Sequence, residues 1–260
     1  MSTEFRVAVL LVTHDATAFL DQTLASIELQ TRPADLLIAI DDNSVDGTTD
    51  VLTTHGFDVH RATTSASDTS TRIAQNFHQG LRLAERAGAE IVVLGDHDDL
   101  WHRDRIEHQV GLLEQFPQTA MLASDGYLID VHGAAVPGTI RTNFPIPADF
   151  NELTPRGKIT YALRHSIATG GASALRLGAL RDWSVPEGWL HDRWWSVAAV
   201  RADRFRSDTT AVIDYRLSPD QQVGLDTADQ DAPRRWVGRK ARQLRTTARR
   251  ARDLSSLARA

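Results

Sequence analysis

The sequence predicts an α/β fold with a doubly wound, mostly parallel central sheet. Three observations lead to this prediction. Short, nearly unbroken apolar runs occur at residues 6–13, 36–40 and 91–94, as in strands covered on both faces. Segments with apolar residues at helical spacing lie between these runs. Polar and mostly acidic residues follow each run directly, at the sheet edge where such folds bind their ligands.

The helices follow from apolar spacing, taken in chain order. A helix after the first strand should end before Pro33, a short one should follow the turn at residues 41–47, and two longer ones should flank the strand at residues 91–94. After Gln118 the regularity weakens to short apolar runs at residues 120–123 and 127–131 and a proline-containing loop at residues 136–155. The apolar positions that define the three longer helices are Phe19, Leu20, Leu24 and Ile27; Ile73, Phe77, Leu81 and Ala84; and Ile106, Val110 and Leu113.

Composition restricts the chemistry available to the 260-residue chain. Cysteine is absent, which excludes disulfides, thiolate metal sites and cysteine nucleophiles, so any metal must be held by oxygen or imidazole. The N-terminal residues lack the pattern of a signal peptide, and no run approaches the roughly 20 apolar residues of a spanning helix. We therefore expect a protein of the cytoplasm.

Charge divides the chain into an acidic body and a basic tail. Between Pro233 and the C-terminus there are ten arginine and lysine residues against the single Asp253, so this segment carries +9 and the rest −14. The boundaries predicted from this change are a body at residues 1–228 and an amphipathic helical tail at residues 229–260. The tail has two interpretations: a solvated or self-associating helix, or attachment to an anionic membrane surface. The acidic body argues against a nucleic-acid partner.

The residues that follow the strands are candidates for a site. The first strand is followed by Thr13, His14 and Asp15 rather than by a glycine-rich phosphate loop, which argues against a Rossmann dehydrogenase or a P-loop enzyme. The segment at residues 41–47 has the composition of a turn with a helix cap, and equally of a ligand-binding loop. Asp96, Asp98 and Asp99 would repel one another without a compensating cation, and oxygen ligands suit Mg²⁺ or Mn²⁺.

In five segments the chain resembles glycosyltransferase family 2, a family with the GT-A fold, and within it the rhamnosyltransferase-like branch. The order of the segments is that of the family, and together they extend from about Val7 to Gly224. They are Thr13-His14-Asp15, Asp41-Asp42-Asn43-Ser44-Val45-Asp46-Gly47, Asp96-His97-Asp98-Asp99-Leu100-Trp101, His191-Asp192-Arg193-Trp194-Trp195, and Tyr215-Arg216 with Val223-Gly224.

The resemblance implies a role for each matching position on the nucleotide side. Thr13 and Asp42 would contact the base, with His14 in the same turn. Asp96 would face the ribose, and Asp98 would bind the metal that bridges the diphosphate. Arg72 either reaches the base or a phosphate, or is a solvated helix residue.

The remaining matches lie in the second half of the body. Asp192 would be the general base, and His191 either orients it or packs. Trp101 and Trp195 either line the sugar-binding pocket or pack in the core. Gly170 and Gly171 are either a loop beside the donor or a plain turn.

The chain departs from the family pattern at two positions. His14 replaces a tyrosine, which leaves the stacking partner of the base open. Ser218 replaces the histidine of the closing signature, so any contact which that histidine makes with metal or diphosphate in relatives would be missing.

The resemblance implies an inverting glycosyltransferase with a nucleotide-sugar half at about residues 1–118 and an acceptor half at 119–228. It would transfer a sugar from a UDP- or dTDP-sugar to a hydroxyl of a glycan or lipid-linked acceptor in cell-surface polysaccharide synthesis, with Mn²⁺ or Mg²⁺, at the cytoplasmic face of a membrane. Two alternatives stay open: a catalytically silent scaffold module that binds nucleotide sugars, and a nucleotidyltransferase. The sequence leaves the oligomeric state open.

Overall fold

The structure is a computed structural model, and it describes residues 5–218. One mixed sheet runs through these residues, in the order β3-β2-β1-β4-β8-β6-β9-β5, with β7 paired to β6. The strands are β1 (Val7–Thr13), β2 (Leu36–Asp41), β3 (Asp58–Arg61), β4 (Ile91–Gly95), β5 (Leu100–Trp101), β6 (Met121–Ile129), β7 (Ala135–Thr139), β8 (Ser173–Arg176) and β9 (Phe205–Arg216). The helices are α1 (Leu20–Glu28), α2 (Thr48–Thr54), α3 (Thr69–Arg86), α4 (Arg105–Gln115), α5 (Ile140–Asn143), α6 (Pro155–Arg164) and α7 (His191–Arg201).

The first half of the sheet is parallel, as the sequence predicts. β1 pairs with β2 and β4, and β2 pairs with β3, all in parallel register. Beyond β4 the sheet is mixed, because β8 is antiparallel to both β4 and β6, whereas the long β9 is parallel to β6. The prediction of a mostly parallel sheet therefore describes the nucleotide-side strands, whereas the other half is mixed because β8 runs antiparallel to both of its neighbours.

Both faces of the sheet are covered, as the doubly wound prediction requires. Along β1 the side chains of Ala8 and Leu10 pack with Phe77 and Leu81 of α3. The alternate residues of β1 pack on the other face, with α1 and α4. This alternation follows from the two-residue period of a strand, and it explains why β1 is apolar throughout.

The segment predicted as a loop at residues 136–155 contains regular structure. It forms most of β7, then α5, and a 3₁₀ turn at Phe150–Glu152. Thr139 caps α5 by accepting from the backbone N–H of Arg141, a local signal that the proline content of the segment hides. The tail at residues 229–260 and the Val223-Gly224 match lie outside the described residues. No helix within residues 5–218 is long and apolar enough to cross a membrane.

Candidate active site

A cleft of about 770 Å³ opens at the carboxyl ends of β1, β2 and β4. Its far wall is the N-terminus of α7 with the adjacent 3₁₀ turn at Gly170–Ala172. The cleft gathers most of the residues that the sequence nominates, from positions far apart in the chain. Those that line it are Thr13, His14, Asp42, Asp96, Asp98, Gly170, His191 and Asp192.

The nucleotide side of the cleft is fixed by bonds between β1 and β2. The backbone N–H of Asp42 donates to the carbonyl of Thr13 at 2.8 Å. His14 donates from Nδ1 to the carbonyl of Asp42 at 2.7 Å, and its Nε2 lies 3.9 Å from Asp15 Oδ2. These contacts hold Thr13, His14 and Asp42 together at one end of the cleft.

Arg72 acts on Asp42 rather than on the cleft directly. From α3 its Nε donates to Asp42 Oδ2 at 2.7 Å, and its side chain is not among the cleft-lining residues. The carboxylate is buried, so this charge-assisted bond compensates much of its desolvation. Arg72 therefore positions Asp42. The sequence suggests either a contact with the base or a phosphate, or a solvated helix residue, and this role is neither of them.

Side-chain hydrogen bonds hold residues 41–47 as a turn before α2, and one carboxylate of this turn lines the cleft. Asp41 accepts hydrogen bonds from the backbone and hydroxyl of Ser44, and Asp46 accepts from the backbone and hydroxyl of Thr48 at the start of α2. Gly47 has φ +94°, a conformation that glycine adopts without strain. Asp42 is the carboxylate of this turn that faces the cleft.

Three carboxylates follow β4, and they divide between the cleft and the interior. Asp96 and Asp98 line the cleft, whereas Asp99 is fully buried and accepts from the backbone N–H of Arg216 at 3.0 Å. Burial and the nearby charge of Asp98 raise the pKa of both Asp96 and Asp99. The charge of Arg105 offsets part of this rise.

Two fully buried arginines, to which the sequence argument assigns no role, lie beside this cluster. Arg105 of α4 donates to the carbonyl of Leu94 at 2.5 Å and stacks over Trp101 at 3.7 Å. Its pKa is lowered to about 9 by burial, against the opposing effect of Asp99 and Asp96. Arg216 donates from Nε to the carbonyl of Asp98 at 2.8 Å and so fixes the backbone of the acidic loop. One signal could have found Arg105: it shares the buried face of α4 with Gln109, at i and i+4.

Side chains approach Gly170 and Gly171 so closely that a residue with a Cβ would not fit at either position without a shift. A Cβ on Gly170 would lie 2.6 Å from His191 Nε2. A Cβ on Gly171 would lie 2.6 Å from Asp96 Oδ2 and 2.7 Å from Asp99 Oδ2. Gly170 lines the cleft, and Gly171 lies directly behind the acidic cluster. Gly170 and Gly171 therefore form a turn, as one sequence interpretation has it, and Gly171 also lies beside Asp96 and Asp99.

Asp192 lies in the first turn of α7, on the cleft wall. Its Oδ1 accepts from the backbone N–H of Arg193 at 2.6 Å, and its Oδ2 from that of Gly170 at 3.2 Å. Burial raises the pKa of Asp192 to about 6, partly offset by these bonds and by the charge of Arg193. A carboxylate with that pKa is ionised at pH 7 and is a stronger base than an ordinary aspartate.

His191 packs rather than orienting Asp192 through a hydrogen bond. Its ring stacks on Phe77 with centroids 3.8 Å apart, and burial lowers its pKa to about 3, so it is neutral at physiological pH. Within residues 5–218, neither ring nitrogen has a hydrogen-bond partner. Of the two sequence interpretations, the described contacts favour packing.

Trp101 and Trp195 belong to the core and do not line the cleft. Trp195 is fully buried and donates from Nε1 to the carbonyl of Trp183 at 2.8 Å. Trp101 lies under the guanidinium of Arg105. Their large apolar area is used in packing, which was the second of the two interpretations from sequence.

The donor set fits a divalent cation that is shared with a substrate. Within residues 5–218 no group of three or more acidic or histidine side chains could hold a metal by itself. The carboxylates of Asp98 and Asp96 nevertheless face one cleft, and their mutual repulsion is what a cation there would relieve. Asp98 would hold Mg²⁺ or Mn²⁺, with diphosphate oxygens and water completing the coordination.

Comparisons with known proteins give the family and the fold. The family model described as glycosyl transferase family 2 matches residues 8–182. No curated protein matches the chain. In structure the chain is similar to S. aureus TarS solved with UDP-GlcNAc, at 16% identity and a TM-score of 0.57, covering 82% of this chain and 59% of that one. Across the TarS structures the chain spans 37% to 61% of the neighbour's length.

Two further structures share the fold. A mannosyltransferase from Pyrobaculum calidifontis, in complex with GDP-Man and Mn²⁺, is 18% identical with a TM-score of 0.56, covering 85% of this chain and 59% of that one. Glucosyl-3-phosphoglycerate synthase from Mycobacterium tuberculosis, in complex with Mn²⁺, UDP and glucosyl-3-phosphoglycerate, is 18% identical with a TM-score of 0.53, covering 83% and 73%. These similarities confirm the predicted fold.

Proposed function

Because the chain belongs to glycosyl transferase family 2, we propose that it transfers a sugar from a nucleoside diphosphate to an acceptor hydroxyl with inversion at the anomeric carbon. The observation that carries the proposal is one cleft in which Asp192, whose pKa is raised to about 6, faces the carboxylates Asp98 and Asp96. A base and a metal-binding carboxylate are the two groups that such a displacement requires.

The donor would lie along the strand ends of the nucleotide side. Asp42, held by Arg72, accepts a hydrogen bond from the base, and Thr13 and His14 complete that end of the site. Asp96 faces the ribose. Structural neighbours that bind UDP-GlcNAc or GDP-Man support a nucleotide-sugar donor, and we propose UDP or dTDP as the nucleotide.

The divalent ion that Asp98 would hold supplies Lewis-acid stabilisation of the leaving diphosphate. The neighbours solved with Mn²⁺ support this cofactor. Asp192 accepts the proton of the acceptor hydroxyl while the oxygen attacks the anomeric carbon from the face opposite the diphosphate. The bond to the nucleotide breaks in the same step, so the anomeric configuration inverts. His191, the residue before Asp192, stacks on Phe77 of α3, which anchors the start of α7.

The proposal extends to the rhamnosyltransferase-like branch and to a glycan or lipid-linked acceptor of cell-surface polysaccharide synthesis. The five ordered segments described above support the branch. Peripheral attachment to the inner face of a membrane would come from the basic tail at residues 229–260. Removing the tail should abolish binding to anionic vesicles and leave donor hydrolysis intact.

The decisive experiment compares Asp98→Ala with Asp192→Asn. Calorimetry with a nucleoside diphosphate should show that Asp98→Ala binds it weakly and without a response to Mn²⁺. Asp192→Asn should bind it as the wild type does, while transfer falls by about 10²–10⁴. Asp50→Asn, an exposed aspartate on α2, is the matched control and should change neither quantity.

Each alternative makes a different forecast. A silent scaffold would bind the nucleotide sugar but would show no hydrolysis of it. An active transferase should hydrolyse the donor slowly when no acceptor is present. A nucleotidyltransferase would consume nucleoside triphosphate. Wild-type rates of transfer in Asp192→Asn would remove Asp192 from the role of base.

A further inference from the structure

Tyr215, near the end of β9, lines the cleft together with Asp98 and Asp192, yet the reaction proposed above gives it no role. Its ring is buried, with 6% of the residue exposed, and it belongs to the same core cluster as Ile213. Its backbone pairs in register with Leu128 of β6. The ring therefore has a fixed position on the wall of the cleft.

The end of β9 is tied to the acidic loop that follows β4. Arg216 donates from its backbone N–H to Asp99 Oδ1 at 3.0 Å and from Nε to the carbonyl of Asp98 at 2.8 Å. These bonds hold the adjacent Tyr215 next to the acidic loop. Ser218, just beyond the end of the strand, lines the cleft as well. The end of β9 therefore forms the wall of the cleft beside the proposed metal site.

The phenol of Tyr215 lies among carboxylates from both sides of the cleft. Burial raises the pKa of Tyr215 well above its ordinary value, and the charges of four carboxylates add to this rise. The four are Asp99, Asp96, Asp98 and Asp192. The phenol is therefore a neutral O–H group, close to the proposed metal site and to the proposed base at once.

The hydroxyl of Tyr215 is not used by the fold. In the described part of the chain it makes no hydrogen bond, either with the carboxylates around it or with the backbone. Its oxygen is not among the described polar atoms that are fully buried without a partner, so it keeps surface that is open to the cleft. By contrast, Tyr161 donates its hydroxyl to the carbonyl of Pro145 at 2.5 Å. The proton of Tyr215 is therefore available to a ligand in the cleft.

The reacting bond is the part of the substrate that lies between the two sides of the cleft. In the proposed transfer the diphosphate lies at Asp98 and the acceptor hydroxyl at Asp192, so the bond from the anomeric carbon to the diphosphate lies between them. As this bond breaks, its electron pair stays on the diphosphate oxygen, which gains negative charge. A hydrogen bond donated to that oxygen is stronger in the transition state than in the bound substrate, so it raises the rate.

We propose, on the basis of the glycosyl transfer proposed above, that the hydroxyl of Tyr215 donates a hydrogen bond to the diphosphate oxygen that leaves the anomeric carbon. The acceptor oxygen forms its bond to the anomeric carbon, its proton goes to Asp192, and the electron pair of the broken bond goes to the diphosphate. The phenol keeps its own proton throughout. Tyr215 is thus a catalytic residue that acts on the leaving group, separate from the base and from the metal-binding carboxylate.

Tyr215→Phe in the full chain removes this hydroxyl and keeps the ring. Since the hydroxyl makes no bond within the described residues, the variant should melt at the temperature of the wild type. Its kcat for transfer should fall about 10²-fold, the effect of removing one donor to a developing oxyanion, while KM for the nucleotide sugar changes little. Tyr127→Phe, at a residue of β6 that is 55% exposed, is the matched control and should change none of these quantities.

A pair of nucleotides tests which atom the hydroxyl contacts, by calorimetry in the presence of Mn²⁺. After transfer the leaving oxygen is a terminal oxygen of the nucleoside diphosphate, where it carries more charge than in the donor. Tyr215→Phe should therefore bind the nucleoside diphosphate about tenfold more weakly than the wild type does. The nucleoside monophosphate lacks this terminal phosphate and should bind equally to both proteins. Binding of the diphosphate should still respond to Mn²⁺ in the variant.

The outcomes separate this inference from the proposed function. If Tyr215→Phe equals the wild type in kcat and in diphosphate affinity, the inference is wrong and the proposed function stands. An equal loss of affinity for both nucleotides would place the hydroxyl at the nucleoside, and a loss confined to the nucleotide sugar would place it at the sugar. Either result overturns the inference, as does a lower melting temperature of Tyr215→Phe, which would show that the hydroxyl supports the fold. Failure of the wild type to bind any nucleoside diphosphate would overturn the proposed function itself.

Discussion

Replacing Asp192 by asparagine should stabilise the protein at neutral pH while it removes the proposed base. The pKa of this carboxyl is about 6 in the folded chain, against an ordinary value of 3.8. At about 1.4 kcal/mol per pKa unit, keeping the group ionised in the folded state costs at most about 3 kcal/mol. The cost reflects burial, which the charge of Arg193 and the two backbone hydrogen bonds offset only in part.

The expected gain is smaller than this limit. Asparagine offers one acceptor oxygen, so one of the two backbone N–H groups of Arg193 and Gly170 loses its partner, at about 1 kcal/mol. Screening by water in the cleft reduces the carboxylate cost further. We expect a net stabilisation of about 1–2 kcal/mol above pH 7, which for a chain of this size raises the melting temperature by about 2–8 °C.

The pH dependence of stability separately tests the sign of the change expected for Asp192→Asn. Below the unfolded pKa both states hold the proton, so the carboxyl has no effect on stability. As pH rises from about 4 to about 6, the unfolded state ionises first and the wild type loses stability; above about 6 the loss is complete. The difference between Asp192→Asn and wild type should therefore be small at pH 4 and full at pH 8.

Thermal melts of both proteins at several pH values measure this difference. Asp46→Asn is the control of opposite sign. Partial burial raises the pKa of Asp46, but hydrogen bonds from Thr48 and Thr17 lower it more, to well below the ordinary value, so its replacement should destabilise the chain at pH 8. A melting temperature of Asp192→Asn at or below that of wild type at pH 8 would refute the reasoning about Asp192.

Three further outcomes follow from the site. The rate constant kcat/KM for transfer should fall about tenfold per pH unit below about pH 6, as Asp192 takes up a proton, and a profile flat to pH 4.5 would contradict its role as base. Gly171→Ala, whose Cβ would meet Asp96 and Asp99, should lose about 1–3 kcal/mol of stability in thermal melts and should bind the nucleotide more weakly. Gly111→Ala is the control: its Cβ lies in open space on α4, and it should be neutral or stabilising in the same melts. Arg72→Gln should weaken nucleotide binding about tenfold by calorimetry yet keep the response to Mn²⁺, and loss of that response would mean that Arg72 acts on the diphosphate rather than through Asp42.

The nucleotide side of the fold could be predicted because its signals are local. β1 is apolar throughout, α3 has strong helical periodicity, and the positions after β1, β2 and β4 are where ligands bind in parallel sheets. That rule selects the segments at residues 13–15, 41–47 and 96–99, and the family resemblance singles out Asp42, Asp96 and Asp98 within them.

The second half could not be predicted in the same way, because its elements depend on distant partners. β9 extends over Phe205–Arg216, but its burial pattern is irregular and its pairing with β6 shifts register twice, so no two-residue alternation marks it in the sequence. Arg105 likewise looks like an ordinary surface residue in the sequence, and Arg216 is marked there only by the Tyr215-Arg216 match. Only the assembled fold shows that they lie in the interior against the acidic loop.

The paired glycines before β8 have a consequence for how this site can evolve. The backbone N–H of Gly170 donates to Asp192, and the backbone of Gly171 hydrogen-bonds to Asp96, so adjacent residues hold the proposed base and a carboxylate of the acidic cluster. Consecutive Cα atoms are about 3.8 Å apart in any trans peptide, so these two anchoring points keep a nearly fixed spacing. Substitutions elsewhere on the cleft wall leave this spacing unchanged. Insertions between Thr169 and Ser173 would separate the two anchoring points and should be excluded.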